Sequence, residues 1–186
     1  GVSYKDSTTV LRFESVGYAT WQLDAAQDLG IAVRGAGAES LQAAMRPEIT
    51  SKLASRYPPA DLLIVRHVLE HANDITQFAD ALKLLVAPGG KILIEIPDCS
   101  RALHKFDYTT IWEEHCYYFT ENTLKVALAA CGFEVHECLR YAYPFEDSLV
   151  VLVSISEPSF KVSAADLAEE VRVGREFAHR FGVHSA

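Results

Sequence analysis

The stretch that most constrains the fold is "ADLLIVRHVLEHANDITQFADALKLLVAPGGKILIEIP", residues 60–97 of a 186-residue chain. Leu62 to Val65 is an unbroken apolar run, and "KILIEI" (Lys91–Ile96) is nearly so. Strands that do not alternate belong in a sheet covered on both faces, the kind built from parallel strands joined by helices. A helix is written between them. Asp74 can cap it, Gln77 stands three residues on, and Ile75, Phe78, Leu82 and Leu85 fall on one face. Pro88-Gly89-Gly90 is expected to stop that helix. The fold class is therefore α/β. In such sheets ligands sit beyond the carboxyl ends of the strands, which places Arg66, His67, His71 and Asp98 near one polar edge.

The rest of the chain alternates in the same way. "TTVLRFESVGY" (8–18) reads as a short helix ending at Gly17, and "ATWQLD" (19–24) as a strand ending in Asp24. "AAQDLGIAVRGAGAES" (25–40) fits a helix, or a short strand with a glycine loop. Its "GAGAES" (35–40) reads as a flexible turn, with a phosphate loop as the other reading. "PEITSKLASRY" (47–57) is a helix with Pro47 at its first position. "TENTLKVALAACGF" (120–133) is a helix capped by Thr120 and closed by Gly132. "FEVHECLRYAY" (133–143) and "SLVVLVSIS" (148–156) are strands spaced to pair antiparallel. After Pro158, "SAADLAEEVRVGREFAHRF" (163–181) is a charged amphipathic helix with Leu167, Val171 and Phe177 expected inward. Residues 1–157 thus form one domain, and 158–186 a helical linker or the start of a missing C-terminal domain.

Charge narrows the function. The formal net charge is −8, and nothing supplies the basic face that phosphate neutralisation requires, so no nucleic-acid partner is expected. Cys99, Cys116, Cys131 and Cys138 form no CxxC pair, which points to a reduced, cytoplasmic setting. No apolar stretch approaches the roughly eighteen residues of a membrane span, and "GVSYKDSTTV" is no signal peptide. An opening Gly in place of Met points to a processed or excised chain.

"IWEEHCYYFT" (111–120) crowds two carboxylates, a histidine, a cysteine and four large aromatic residues into ten positions. His115 suits proton transfer near neutral pH, with Glu114 or His71 placed to orient it. One of the tyrosines is expected to line a pocket, the alternative being core packing. Cys116 reads as a structural thiol. "HVLEH" (67–71) fits the HxxEH pattern of a zinc peptidase family, which keeps open a zinc hydrolase built on His67 and His71. The pattern follows a buried strand rather than sitting inside a long helix, so no metal is expected.

Residues 61–97 resemble the fourth and fifth strands of class I S-adenosylmethionine-dependent methyltransferases, where an "hVLEH"-type turn, a helix, "PGG" and an apolar strand recur together. "EHCYYF" (114–119) is similar to the "EHxxYF" segment of the sugar C-methyltransferases, and "TENTLKVALAACGFEV" to the helix and strand that follow it. The resemblance covers residues 6–157. It implies a Rossmann-like doubly wound, mostly parallel sheet with an antiparallel last strand and a truncated first strand. It implies S-adenosyl-L-methionine as cofactor and a small-molecule acceptor, a sugar or nucleotide-sugar. Gly1 would be the last trace of the glycine-rich loop, Asp24 would bind the ribose, and Arg66 and His67 would face the methionine end. His71, Glu114 and His115 would be the active-site polar groups, with His115 taking a proton before methyl transfer to carbon. The chain departs from the pattern in three respects. "VSYKDSTT" stands where relatives carry more glycine, and Trp112 stands where a tyrosine is expected. The upstream cysteine-rich zinc region and the downstream domain are not present. A degenerate, non-catalytic module of a larger glycan or natural-product enzyme is the rival expectation.

Overall fold

The computed structural model describes residues 1–32, 37–159 and 164–184. At its centre a four-stranded sheet runs in the order β1 (Ala60–Arg66), β2 (Val86–Asp98), β4 (Asp147–Ile155), β3 (Phe133–Tyr141). β1 and β2 pair parallel, with Leu63 opposite Ile92 and Val65 opposite Ile94. β4 lies reversed between β2 and β3, antiparallel to both. Three strands therefore share one direction and the last in sequence is the reversed one, as expected.

Helices α1 (Ser7–Ser15), α2 (Ala38–Ala44) and α3 (Pro47–Arg56) precede β1, and α4 (Ile75–Lys83) joins β1 to β2. Then come α5 (Ser100–Lys105), α6 (Glu121–Ala130) and, after β4, α7 (Ala164–His184). The core is one cluster, in which α4 contributes Phe78, Ala79 and Leu82 and α6 contributes Leu124 and Leu128. Ile92, Ile94 and Ile96 of β2 meet Leu149, Val151 and Val153 of β4 there, all but inaccessible to water. Burying each such side chain contributes about 1.5–3 kcal/mol relative to leaving it exposed. Within β1 the centre, Leu63 to Val65, is buried without a break. In β2 the residues between the isoleucines, Leu93 and Glu95, remain partly accessible.

Local signals explain most boundaries. The Asp74 carboxylate accepts from the Gln77 amide at 2.9 Å and starts α4. Thr120 and Thr123 form a reciprocal cap on α6. The end of α4 differs from expectation. The helix stops at Lys83 and the chain is already paired with β1 by Val86, so Pro88-Gly89-Gly90 sits in the first part of β2. A Cβ on Gly90 would lie 2.9 Å from the Ala60 carbonyl, which is why the register shift between Ala60 and Leu62 needs glycine opposite it.

"ATWQLD" is not a ladder strand. The Leu23 amide donates to the Gly1 carbonyl and the Val2 amide to the Ile64 carbonyl, so Gly1 to Ser3 lies as a short extended piece between β1 and Leu23. The Gly1 amine also donates to the Trp21 carbonyl at 2.9 Å, so two bonds join the piece to Trp21–Leu23 and one joins it to β1, which forms no ladder. Of "GAGAES", Gly35 and Ala36 lie outside the described residues, Gly37 precedes α2, and residues 38–40 open it.

α7 also corrects the reading. Phe177 packs on Tyr108 with ring centroids 4.6 Å apart, and the Tyr108 hydroxyl donates to the Phe177 carbonyl. Leu167 and Val171 stay exposed, at 41% and 49%. The geometry gives the reason: at roughly 100° per residue, positions 167 and 171 share a face, and 177 lies about 120° around from 171. Among the described residues, no helix is long and apolar enough to cross a membrane.

Candidate active site

β1 ends at Arg66, and the chain then turns sharply at His67, whose φ of 52° is uncommon for a residue with a side chain. A single 3-10 turn, Leu69–His71, follows and is buried throughout. The turn is stitched to the "IWEEHCYYFT" loop through backbone groups. The Cys116 and Tyr117 amides both donate to the Glu70 carbonyl, at 2.8 and 3.1 Å. His71 Nδ1 lies 2.9 Å from the Glu114 carbonyl. A carbonyl only accepts, so Nδ1 carries a proton there.

These bonds set the His115 ring edge-on to His71, with centroids 4.7 Å apart and planes at 86°. Tyr118 fixes the loop from inside: its hydroxyl accepts from the Trp112 amide and donates to the Trp112 carbonyl, and its ring lies 5.9 Å from that of His115. Tyr117 instead stacks on the buried Phe119 and packs against the core. One tyrosine thus borders the histidines and the other fills space. Cys116 is exposed, its thiol facing the His71 carbonyl and Asn73 Oδ1.

A charged relay runs beneath. His67 Nδ1 stands 3.6 Å from Glu70 Oε1, and its Nε2 stands 3.4 Å from Glu95 Oε1. Between those two carboxylates the imidazole is pushed up to about 9, so it is a fixed cation at neutral pH. Glu95 is held down to about 2, first by His67 and then by Arg66, whose Nε is 2.6 Å away. His115 moves the other way: burial lowers it below the ordinary histidine value and keeps it neutral. Glu70 is 2% exposed, and its Oε2 has no hydrogen-bond partner among the described residues.

The residues singled out in the sequence separate into two places. His71 and His115 meet. Glu114 contributes its carbonyl, while its carboxylate sits at the exposed mouth near Glu39 and His71. Arg66 is engaged by Glu95 and by the Lys5 carbonyl. Gly1 and Asp24 lie on the neighbouring segments. A Cβ on Gly1 would stand 2.8 Å from both Asp6 Cβ and Val10 Cγ2, so the backbone there approaches its support too closely for a side chain. Asp6, buried below, accepts the Val2 and Ser3 amides on one oxygen at 2.8 Å each, and burial raises its carboxyl. Asp24 is exposed, with Oδ1 taken by the Ala26 and Gln27 amides.

His67 and His71 do not share a helix face. The left-handed turn throws them to either side of Glu70, so the zinc-peptidase arrangement is not built. Glu70 and Glu95, which the sequence reading passed over, complete the site. Glu70 stood inside the quoted "HVLEH", where its adjacency to His71 was the available signal. Two open clefts, of about 530 and 420 Å³, lie away from these histidines, one along β3 beside α6 and one where α5, α6 and α7 meet.

Against known proteins, a family profile described as a methyltransferase domain matches residues 14–138. The C-methyltransferase NovU of Streptomyces niveus is 27% identical over 176 residues, 89% of this chain and 42% of the relative, so the chain spans less than half of that curated protein. A solved structure described as a pericyclic reaction enzyme is 11% identical, with a TM-score of 0.50 over 82% of this chain and 40% of that one. The 16S rRNA (adenine(1408)-N(1))-methyltransferase of Catenulisporales acidiphilia is 18% identical, with a TM-score of 0.46 over 84% and 83%.

Proposed function

The chain belongs to the methyltransferase-domain family, of the S-adenosyl-L-methionine-dependent kind, and we propose that it methylates carbon in a small-molecule acceptor, a sugar or nucleotide-sugar bearing a keto group. The observation that carries this reading is the His71–His115 pair, with rings 4.7 Å apart at the carboxyl end of β1. The name of the NovU relative supports carbon as the methylated atom.

The cofactor supplies a methyl group on a sulfonium, an electrophile that needs no activation. The donor set fits it. Asp24 keeps Oδ2 free of partners among the described residues beside the Gly1 segment, which suits a ribose diol. Gly1 to Ser3 runs along the same edge, held by Trp21, Ile64 and Asp6, and the fixed charges of Arg66, Glu95 and His67 stand between it and the histidines.

His115 is the base. A neutral imidazole takes the proton from the carbon beside the keto group, leaving an enolate whose carbon would accept the methyl group as the S–CH3 bond breaks and its electron pair goes to sulfur, giving a neutral thioether. The new imidazolium forms within reach of the negative field of Glu70. His71, its tautomer set by the Glu114 carbonyl, positions the His115 ring. Beyond proton removal the chemistry asks for alignment and exclusion of water.

The test uses the full-length protein with a keto-sugar nucleotide in deuterated solvent. Exchange of the proton beside the keto group is expected, is lost in His115→Ala, and persists in Cys116→Ala. Exchange and methyl transfer unchanged in His115→Ala would remove the base assignment.

A further inference from the structure

We propose that Glu70, His71 and His115 form a binding site for a divalent transition-metal ion of the zinc class, and that an ion held there takes His115 out of service as a base. One ligand atom from each of the three lies within 4.8 Å of the others. The site goes beyond the methyl-transfer reading but uses two of its residues.

Three observations point to a cation at this place. First, the His71 tautomer is fixed by a carbonyl on Nδ1, the usual way in which a metal-binding histidine is oriented by its outer partner. Second, His71 Nε2 lies 3.9 Å from Glu70 Oε1, beyond hydrogen-bond distance, so the two ligand atoms stand close together without bonding to each other. Third, Glu70 is 2% exposed, and while His67 stands beside Oε1, its Oε2 is buried without a partner among the described residues. A buried carboxylate oxygen in that condition is destabilising, and an ion bound to the same carboxylate offsets it.

Two imidazoles and one carboxylate are the donors that zinc, cobalt and nickel take, and three protein ligands leave a position open. Ligands on a tetrahedral ion stand roughly 3.4 Å apart, so the cluster must contract. His115 is the ligand that can move, because it rides the loop and is only partly buried, whereas Glu70 and His71 are fixed in the 3-10 turn. A lone pair given to an ion cannot take a proton, so metal binding and proton abstraction exclude each other. This differs from the HxxEH arrangement, since His67 is not a ligand and remains paired with Glu70 and Glu95.

The test titrates the chelator-treated chain with Co²⁺, following visible absorption and heat. One equivalent is expected to bind, with a tetrahedral or five-coordinate spectrum. His71→Ala and His115→Ala should each weaken binding by about 100-fold, and the isosteric Glu70→Gln by about 10-fold, all with unchanged far-ultraviolet circular dichroism. Glu39→Gln, at the exposed mouth, should leave it unchanged. Absence of stoichiometric binding at millimolar Co²⁺, or binding indifferent to Glu70→Gln and His115→Ala, overturns the site. Zn²⁺ should also inhibit methyl transfer by the full-length protein, reversibly on chelation, and activation by Zn²⁺ would overturn the antagonism. A protein that binds Co²⁺ but transfers no methyl group would refute the proposed function and leave this site standing.

Discussion

Replacing His67 by glutamine tests the charged relay. His67 is raised from 6.5 to about 9 by Glu70 and Glu95. At about 1.4 kcal/mol per unit this corresponds to roughly 3 kcal/mol, and about 2 kcal/mol once allowance is made for partial exposure. A histidine raised in the folded state adds stability that is complete below its unfolded value. The contribution is lost as pH rises through the folded one, so the window is pH 6.5 to about 9. The difference in unfolding free energy between the native chain and His67→Gln should therefore shrink by about 2 kcal/mol between pH 6 and pH 10. Urea unfolding followed by tryptophan fluorescence at half-unit steps measures it. The buried thiols also weaken the fold at alkaline pH, since Cys99 is pushed up to about 12 and Cys131 and Cys138 are raised as well. They act equally in both proteins and cancel in the difference. A difference that stays flat from pH 6 to 10, or grows, would show that His67 is not held as a cation between the two carboxylates.

Three further outcomes follow from named contacts. Glu95 is lowered from 4.5 to about 2, so its contribution is present above pH 4.5 and lost as pH falls toward 2; Glu95→Gln should flatten that acid limb of the stability profile. Asp6→Ala removes the one oxygen that accepts two buried amides, and should cost about 2–4 kcal/mol in chemical denaturation, against no measurable change for Glu14→Ala on the exposed side of α1. In the native protein, mass spectrometry after brief treatment with a maleimide should find Cys116 modified well before the buried Cys99 and Cys131, and labelling of Cys99 first would contradict the burial.

The β1–α4–β2 unit was legible because several independent signals agreed there: a branched apolar run, the Asp74–Gln77 cap and a face of apolar residues at helical spacing. The antiparallel β3–β4 pair was legible from two apolar runs and a short connection. "ATWQLD" misled because Trp21 and Leu23 alternate like a strand, yet Gly1 joins it through only the Trp21 carbonyl and the Leu23 amide. In α7 the misreading came from counting apolar residues without their angles. Leu167 and Val171 form one face, and the ring of Tyr108 selected another.

At the site, the histidines could be read and the carboxylates could not. Glutamates are normally surface residues, and nothing in "HVLEH" or "KILIEI" says that Glu70 and Glu95 will be drawn toward one imidazole. That depends on a left-handed backbone at His67, which local preference argues against and only the surrounding packing can hold. The same turn that violates the local rule separates His67 from His71. One imidazole goes to the carboxylates as a fixed cation and the other packs edge-on against His115. A helical continuation would have kept both on one face, the geometry of a metal peptidase. The strained residue thus decides which chemistry the motif carries, and it is the feature that spacing alone could not convey.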